Sequence, residues 1–129
     1  MASDRQQRAR ILIVEDEALL AYVLEDFLIT AGFEVAGVAT RLAKALELIE
    51  SVACDAAVID ANLAGESAGP AASALAARGV PFIVMTGYSS EQLQGEFFGV
   101  HVIQKPARPA LVIEALRTML PSFRIVSDR

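Results

Sequence analysis

The sequence has one cysteine, Cys54, so no internal disulfide framework can hold the chain together. A lone thiol suits a reducing compartment, and Cys54 is expected to serve as a small apolar residue near the start of a strand. No apolar stretch approaches the roughly 20 residues of a membrane-spanning helix. Residues 1–10 are polar and basic, and the apolar run after them is broken at once by Glu15-Asp16-Glu17, which excludes a signal peptide. Lysine and arginine form no large cluster and the net charge is −5, which argues against nucleic-acid binding. There is no internal repeat and no low-complexity linker. The expectation is a cytoplasmic protein with neither nucleic acid nor membrane as a partner.

What is present is apolar and rich in alanine. Apolar residues make up 54% of the 129, as in folds whose strands are covered on both faces. The length suits one domain over 1–129, with its core at 9–120 and flexible arms at 1–8 and 121–129.

The chain is organised around Ala56-Ala57-Val58-Ile59-Asp60-Ala61-Asn62, an apolar run that ends in a carboxylate. A short apolar run bounded by polar residues reads as a buried strand. Three others end alike: Ile11 to Val14 at Glu15-Asp16, Phe82 to Met85 at Thr86-Gly87, and Val100 to Ile103 one residue before Lys105-Pro106. Helix-like segments separate them, so the strands should be parallel with right-handed crossovers. The resulting fold is an α/β, doubly wound, five-stranded parallel sheet with helices on both faces. All strand carboxyl ends then share one edge, where such sheets place their chemistry. Glu15, Asp16, Asp60, Thr86 and Lys105 should meet there.

Along the chain, a strand is expected over 10–14 and a helix over 17–31, with Leu20, Leu24, Phe27, Leu28 and Ala31 on its apolar face and Leu19 and Val23 widening it. Gly32 should cap its end. A strand at 33–38 follows. Thr40 is the expected cap of a second helix that buries Leu42, Ala45, Leu46 and Ile49. After the strand 55–59, the loop 60–65 contains asparagine and glycine, which tolerate unusual backbone angles. A third helix over 66–78 has Leu75 as its only large apolar residue, and Pro70 suits its first turn, which moves its start toward Gly69. Strands at 81–85 and 100–103, a short mobile helix at 89–97, and a helix opened by Pro109 with an apolar face from Leu111 to Leu120 complete the reading. His101 is expected to be a partly buried histidine.

Three carboxylates in one crevice repel. Two like charges roughly 4 Å apart cost about 1 kcal/mol at the dielectric of water and about 4 kcal/mol at an effective value of 20. A hard divalent cation such as Mg²⁺ suits oxygen ligands. Asp16 and Asp60 would bind it directly, Glu15 directly or through water, and the backbone carbonyl of Asn62 could add an oxygen. Lys105 brings a second positive charge suited to an anion, and Thr86 a hydroxyl. This set fits phosphoryl transfer, with Asp60 attacking phosphorus in line and the cation, Lys105 and Thr86 neutralising the equatorial oxygens.

The motifs Glu15-Asp16, Asp60, Thr86 and Lys105-Pro106, in this order and each at a strand end, resemble the receiver domain of two-component response regulators across residues 9–120. The resemblance implies the flavodoxin-like strand order 2-1-3-4-5, and that Asp60 accepts a phosphoryl group from a sensor histidine kinase or a phosphotransfer protein. It also implies Mg²⁺ at Glu15, Asp16, Asp60 and the Asn62 carbonyl, with Lys105 pairing to the phosphoryl group and Thr86 moving to bond it. Such a chain is a signalling phosphoacceptor that catalyses only its own phosphorylation and dephosphorylation. Its output is altered protein binding or service as a phosphate sink, as a monomer or a phosphorylation-dependent dimer. In the family the helix from Glu17 meets the phosphodonor. The fourth helix, fifth strand and last helix form the output face, and 89–97 is the candidate moving element.

Two positions depart from the family. Val102 stands where an aromatic switch residue is usual, and Ala107 where a phenylalanine often follows Lys-Pro. Phe82 to Tyr88 is similar to the FATGUY subgroup, with Val84-Met85 in place of its Phe-Ala. That subgroup also lacks the aromatic switch and pairs with kinases of the HWE or a related type. Two other readings use the same residues: a Mg²⁺-dependent phosphatase working through an aspartyl-phosphate, and a pseudo-receiver that binds partners without phosphate. The phosphatase would need a second aspartate two residues after the nucleophile, where this chain has Asn62.

Overall fold

The apolar runs and the periodic segments between them form β1 (Arg10–Val14), α1 (Ala18–Thr30), β2 (Glu34–Ala39), α2 (Leu42–Ser51), β3 (Ala56–Asp60), β4 (Asn62–Leu63), β5 (Glu66–Ser67), α3 (Gly69–Ala77), β6 (Phe82–Thr86), β7 (His101–Gln104) and α4 (Pro109–Met119). These are seen in a computed structural model that describes residues 8–87 and 101–120. The expected helix at 89–97, Tyr88, Val100, residues 1–7 of the arm expected at 1–8 and the tail 121–129 lie outside the described residues.

Five strands form one parallel sheet in the order β2-β1-β3-β6-β7. Counting only those five, the order is 2-1-3-4-5, as the family resemblance implies. The short strands β4 and β5 form a separate antiparallel ribbon that the sequence reading did not anticipate.

Because strand side chains alternate between faces, each central strand feeds two cores. Leu12, Val14, Ala57, Ile59 and Val84 pack with Ala45 and Ile49 of α2 and Leu75 of α3. Ile11, Ile13, Val58, Ile83 and Met85 pack on the opposite face with Leu24 and Leu28 of α1 and with Val112 and Leu116 of α4. Every residue of β3 and β6 is buried, which explains their unbroken apolar runs.

The helix ends are partly as expected. Gly32 follows α1 with φ of 102°, and its N–H bonds the Ile29 carbonyl while that of Phe33 bonds the Leu28 carbonyl, which satisfies the last turn. Helix α3 starts at Gly69 with Pro70 in its first turn. Thr40, however, is not the cap of α2: Arg41 holds that position and no side chain caps it.

The face of α1 is also narrower than its apolar pattern suggests. Ala21, Leu24 and Leu28 are buried, whereas Leu20 and Phe27 are exposed along with Leu19, Tyr22, Val23 and Ile29. A helix lying on one face of a sheet buries one stripe, and α1 carries apolar residues around more of its circumference than that stripe can cover. On α4 the same holds for Leu111, which is exposed. His101, expected to be partly buried, is exposed at the start of edge strand β7.

Leu75 is fully buried and is the sole large side chain anchoring an alanine-rich helix. Leu75→Ala is expected to lower the unfolding free energy by about 3 kcal/mol, the transfer and cavity cost of a buried leucine. Denaturant titration measures this, and a loss below about 1 kcal/mol would mean that α3 repacks against the sheet without it.

Candidate functional site

Strand register decides which residues meet at the carboxyl edge. Val14 lies level with Ile59, Asp60 with Met85, and Thr86 with Gln104. The residues that follow therefore converge. Glu15 and Asp16 emerge beside Asp60, and Lys105 emerges beside Thr86, its N–H bonded to the Thr86 carbonyl at 2.6 Å. The Lys105-Pro106 peptide is cis.

Glu15, Asp16 and Asp60 each offer a carboxylate oxygen, and these oxygens lie within 4.8 Å of one another. The Lys105 Nζ donates to Asp60 Oδ2 at 2.7 Å and pairs with Glu15 Oε1 at 3.2 Å. Glu15 is 1% exposed and Asp60 6%, and Thr86 is buried beside them. Backbone N–H groups complete the set. That of Glu17 bonds Glu15 Oε2, that of Asn62 bonds Asp60 Oδ1, and that of Ala64 bonds Asp16 Oδ2. The Asn62 side-chain oxygen accepts the Gly65 N–H at 2.8 Å, so the oxygen Asn62 would offer a cation is its backbone carbonyl.

The charges are unequally settled. Burial pushes the Glu15 carboxyl up to about 7; the Asp60 charge and a hydrogen bond with Asp16 add to this, against the Glu17 N–H and Lys105. Burial alone would also raise Asp16, but hydrogen bonds with Glu15 and the Ala64 N–H outweigh it and hold that carboxyl below its ordinary value. Burial would lower the Lys105 ammonium, yet its bonds to Asp60 and Glu15 prevail and raise it. One ammonium among three carboxylates leaves Glu15 short of full ionisation at neutral pH. A hard divalent cation would make up that deficit, and an all-oxygen donor set suits Mg²⁺. The residues present therefore fit such a group.

The pH dependence follows from the directions of these shifts. Glu15 without a divalent cation binds its proton more tightly in the folded chain than in the unfolded one. The stability it contributes is complete below its ordinary pKa of 4.5 and is lost as pH rises through about 7. The loss amounts to up to about 3 kcal/mol. Asp16, lowered, acts in a separate window: its contribution holds above 3.8 and fades as pH falls through its folded value. That of Lys105, raised, holds below 10.5 and fades only in strong alkali. Between pH 5 and 8 the Glu15 effect governs the site. In a chelator, Tm is expected to fall over that range, to fall less in Mg²⁺, and to lose this slope in Glu15→Gln. A chelator profile that rises with pH and is the same in Glu15→Gln would contradict it.

The structure thus brings together Glu15, Asp16, Asp60 and Lys105, with Thr86 and Asn62 adjoining. The sequence reading missed the Glu17 and Ala64 N–H groups. It also missed an apolar hollow lined by Lys105, Leu20, Val23, Met85, Val112 and Glu15. The Ala64-Gly65 pair is the only sequence trace of the ribbon turn. Of Asn62 and Gly65, the residues expected to tolerate unusual angles, Gly65 takes one, with φ of 92°. Among the described non-glycine residues it is Ala64 that has a positive φ, of 54°. The expected aromatic-switch position, Val102, is half-buried and packs against the core that includes Val84.

Comparison with known proteins places the chain in a family. Residues 11–117 match the family model described as the response regulator receiver domain. The chain is 34% identical over 122 residues to the transcriptional regulatory protein PdtaR of Mycobacterium tuberculosis, spanning 92% of this chain but only 60% of that protein. It is similar to the solution structure of SdrG from Sphingomonas melonis Fr1, at 42% identity and a TM-score of 0.74, covering 88% of this chain and 98% of that one. A CheY-like receiver domain protein from Methanospirillum hungatei JF-1 is 26% identical with a TM-score of 0.79, over 91% and 97% of the two chains.

Proposed function

This chain belongs to the response regulator receiver domain family, and on that premise we propose that it is a phosphorylation switch whose acceptor is Asp60. The observation that carries the reading is the convergence of a buried carboxylate, an ammonium at 2.7 Å and two further carboxylates on one sheet edge. Receiver domains act in two-component signalling with histidine kinases or phosphotransfer proteins.

In the transfer, an Asp60 oxygen forms a bond to phosphorus while the bond to the donor atom breaks, and that bond's electron pair leaves with the donor. The Asn62 N–H on Oδ1 and Lys105 on Oδ2 hold the carboxylate in place. Afterwards Lys105 faces the phosphoryl oxygens, and Thr86 supplies a hydroxyl. Glu15, Asp16, Asp60 and the Asn62 carbonyl would hold Mg²⁺, which when bound neutralises charge developing on those oxygens. With valine at 102, the Thr86 response must be relayed without an aromatic rotation, by phosphate shifting an existing equilibrium.

The exposed apolar residues of α1, among them Leu19 at 73% and Tyr22 at 68%, support this helix as the phosphodonor docking face. The partial FATGUY pattern favours an HWE-type kinase, and the receiver reading implies output by protein binding or as a phosphate sink. Asn62, an amide engaged in a turn, is no general acid, which disfavours the phosphatase reading. The intact acidic set disfavours a phosphate-independent pseudo-receiver.

The test is intact mass after incubation with acetyl phosphate and Mg²⁺. One base-labile, acid-stable phosphoryl group is expected. A chain that neither gains a phosphoryl group nor binds beryllofluoride would overturn the reading.

A further inference from the structure

The ribbon between Asp60 and α3 turns through Ala64 and Gly65, whose φ angles are 54° and 92°. These are the signs of a type I′ turn, which glycine enters freely and alanine enters against steric resistance. The Ala64 side chain does not offset this, since Ala64 is exposed. What the conformation accomplishes is to aim a backbone N–H. That of Ala64 donates to Asp16 Oδ2 at 3.0 Å, joining residues 48 apart in sequence.

The rest of the ribbon keeps that N–H in place. Leu63 is 1% exposed and anchors the ribbon in the core. The Gly65 N–H bonds Asn62 Oδ1, and the Ala68 N–H bonds the Ala61 carbonyl at the base. The same ribbon delivers the Asn62 N–H to Asp60 Oδ1. Two of the three clustered carboxylates are therefore held by one short element through its main chain.

We propose that Ala64 is a positioning residue for the divalent-cation site. Its N–H orients the Asp16 carboxylate so that one oxygen stays grouped with those of Glu15 and Asp60. The inference rests on the proposed reading of the acidic set as a Mg²⁺ site. Hydrogen-bonding partners of ligand side chains commonly carry about ten- to hundredfold in metal affinity, and a backbone donor plays this part without any side-chain signature.

The probe is Mg²⁺ alone, titrated by calorimetry into the full chain. Replacing Ala64 by lactic acid converts the Leu63–Ala64 amide to an ester, which removes the N–H and weakens the Leu63 carbonyl as an acceptor, and Kd is expected to rise about tenfold. Ala64→Gly, which keeps the N–H and fits the turn, is expected to stay within about twofold of the native Kd. An ester variant that binds Mg²⁺ like the native chain would overturn the proposal. A native chain that binds no Mg²⁺ would overturn the cation reading and the proposal with it. Should the ester not fold, hydrogen exchange decides. Asp16→Ala is expected to speed exchange at Ala64 about tenfold while leaving Gly65, bonded to Asn62, unchanged. Equal exchange at Ala64 with and without the Asp16 carboxylate would overturn it.

Discussion

Asp60→Asn is expected to gain no phosphoryl group from acetyl phosphate and Mg²⁺ under conditions in which the native chain gains one. An amide has nearly the shape of a carboxylate but lacks its charge, and without that charge it is a poor nucleophile toward phosphorus. The substitution should leave the fold intact. Asp60 is 6% exposed, and the Asn62 N–H that it accepts can still be accepted, less strongly, by an amide oxygen. Lys105 keeps its partner Glu15. The Asp60 charge is also one of the causes that raise Glu15, so its removal should ease Glu15 ionisation. Intact mass beside a thermal melt separates loss of the acceptor from loss of the protein. A folded variant that accepts phosphate at the native rate would end the assignment of Asp60.

Lys105→Met is expected to impair both chemistry and stability. Its ammonium serves Asp60 and Glu15 together, from a side chain that is 25% exposed. Removing one preorganised charge at a reacting centre typically costs about a hundred- to a thousandfold in rate. Phosphorylation by acetyl phosphate at saturating Mg²⁺ should slow by at least about a hundredfold on that basis. In a chelator, deleting the partner of a buried charge costs about 3 kcal/mol. Part of that should be recovered when Glu15 takes up a proton, so the loss is expected to be larger at pH 8 than at pH 6. Initial rates and denaturant melts at the two pH values measure these effects. A rate within threefold of native would show that the lysine takes no part in the transfer.

Much of the architecture can be read from short-range patterns. The run from Ile11 to Val14 and that from Ala56 to Ile59 are too short and too apolar for anything but strands covered on both sides, and the helices between them force a parallel sheet. Each run stops at a polar residue, which places Glu15, Asp16, Asp60, Thr86 and Lys105 on one edge before any coordinate is known. Gly32 and Pro70 likewise act within a few residues of themselves, and both stand where local chemistry puts them.

Other features depend on neighbours far along the chain. Leu20 and Leu24 carry the same side chain, yet one is exposed and the other buried. Only the placement of α1 against the sheet and α4 distinguishes them. His101 is exposed because β7 is an edge strand, a consequence of sheet order and not of its own sequence context. Thr40 has the chemistry of a cap, but α2 begins one residue later than that role requires.

By itself, then, the sequence determined the fold class and the identity of the side chains gathered at the carboxyl edge, because hydrophobic periodicity and strand-end chemistry are local and repeated. Tertiary structure alone decided how those groups are held. The 2.7 Å contact of Lys105 with Asp60, the burial that raises Glu15 and the Ala64 N–H on Asp16 each join segments far apart in the chain. Backbone donors look the same in every residue type, and dielectric burial belongs to the assembled sheet, so neither leaves a mark that a sequence can show.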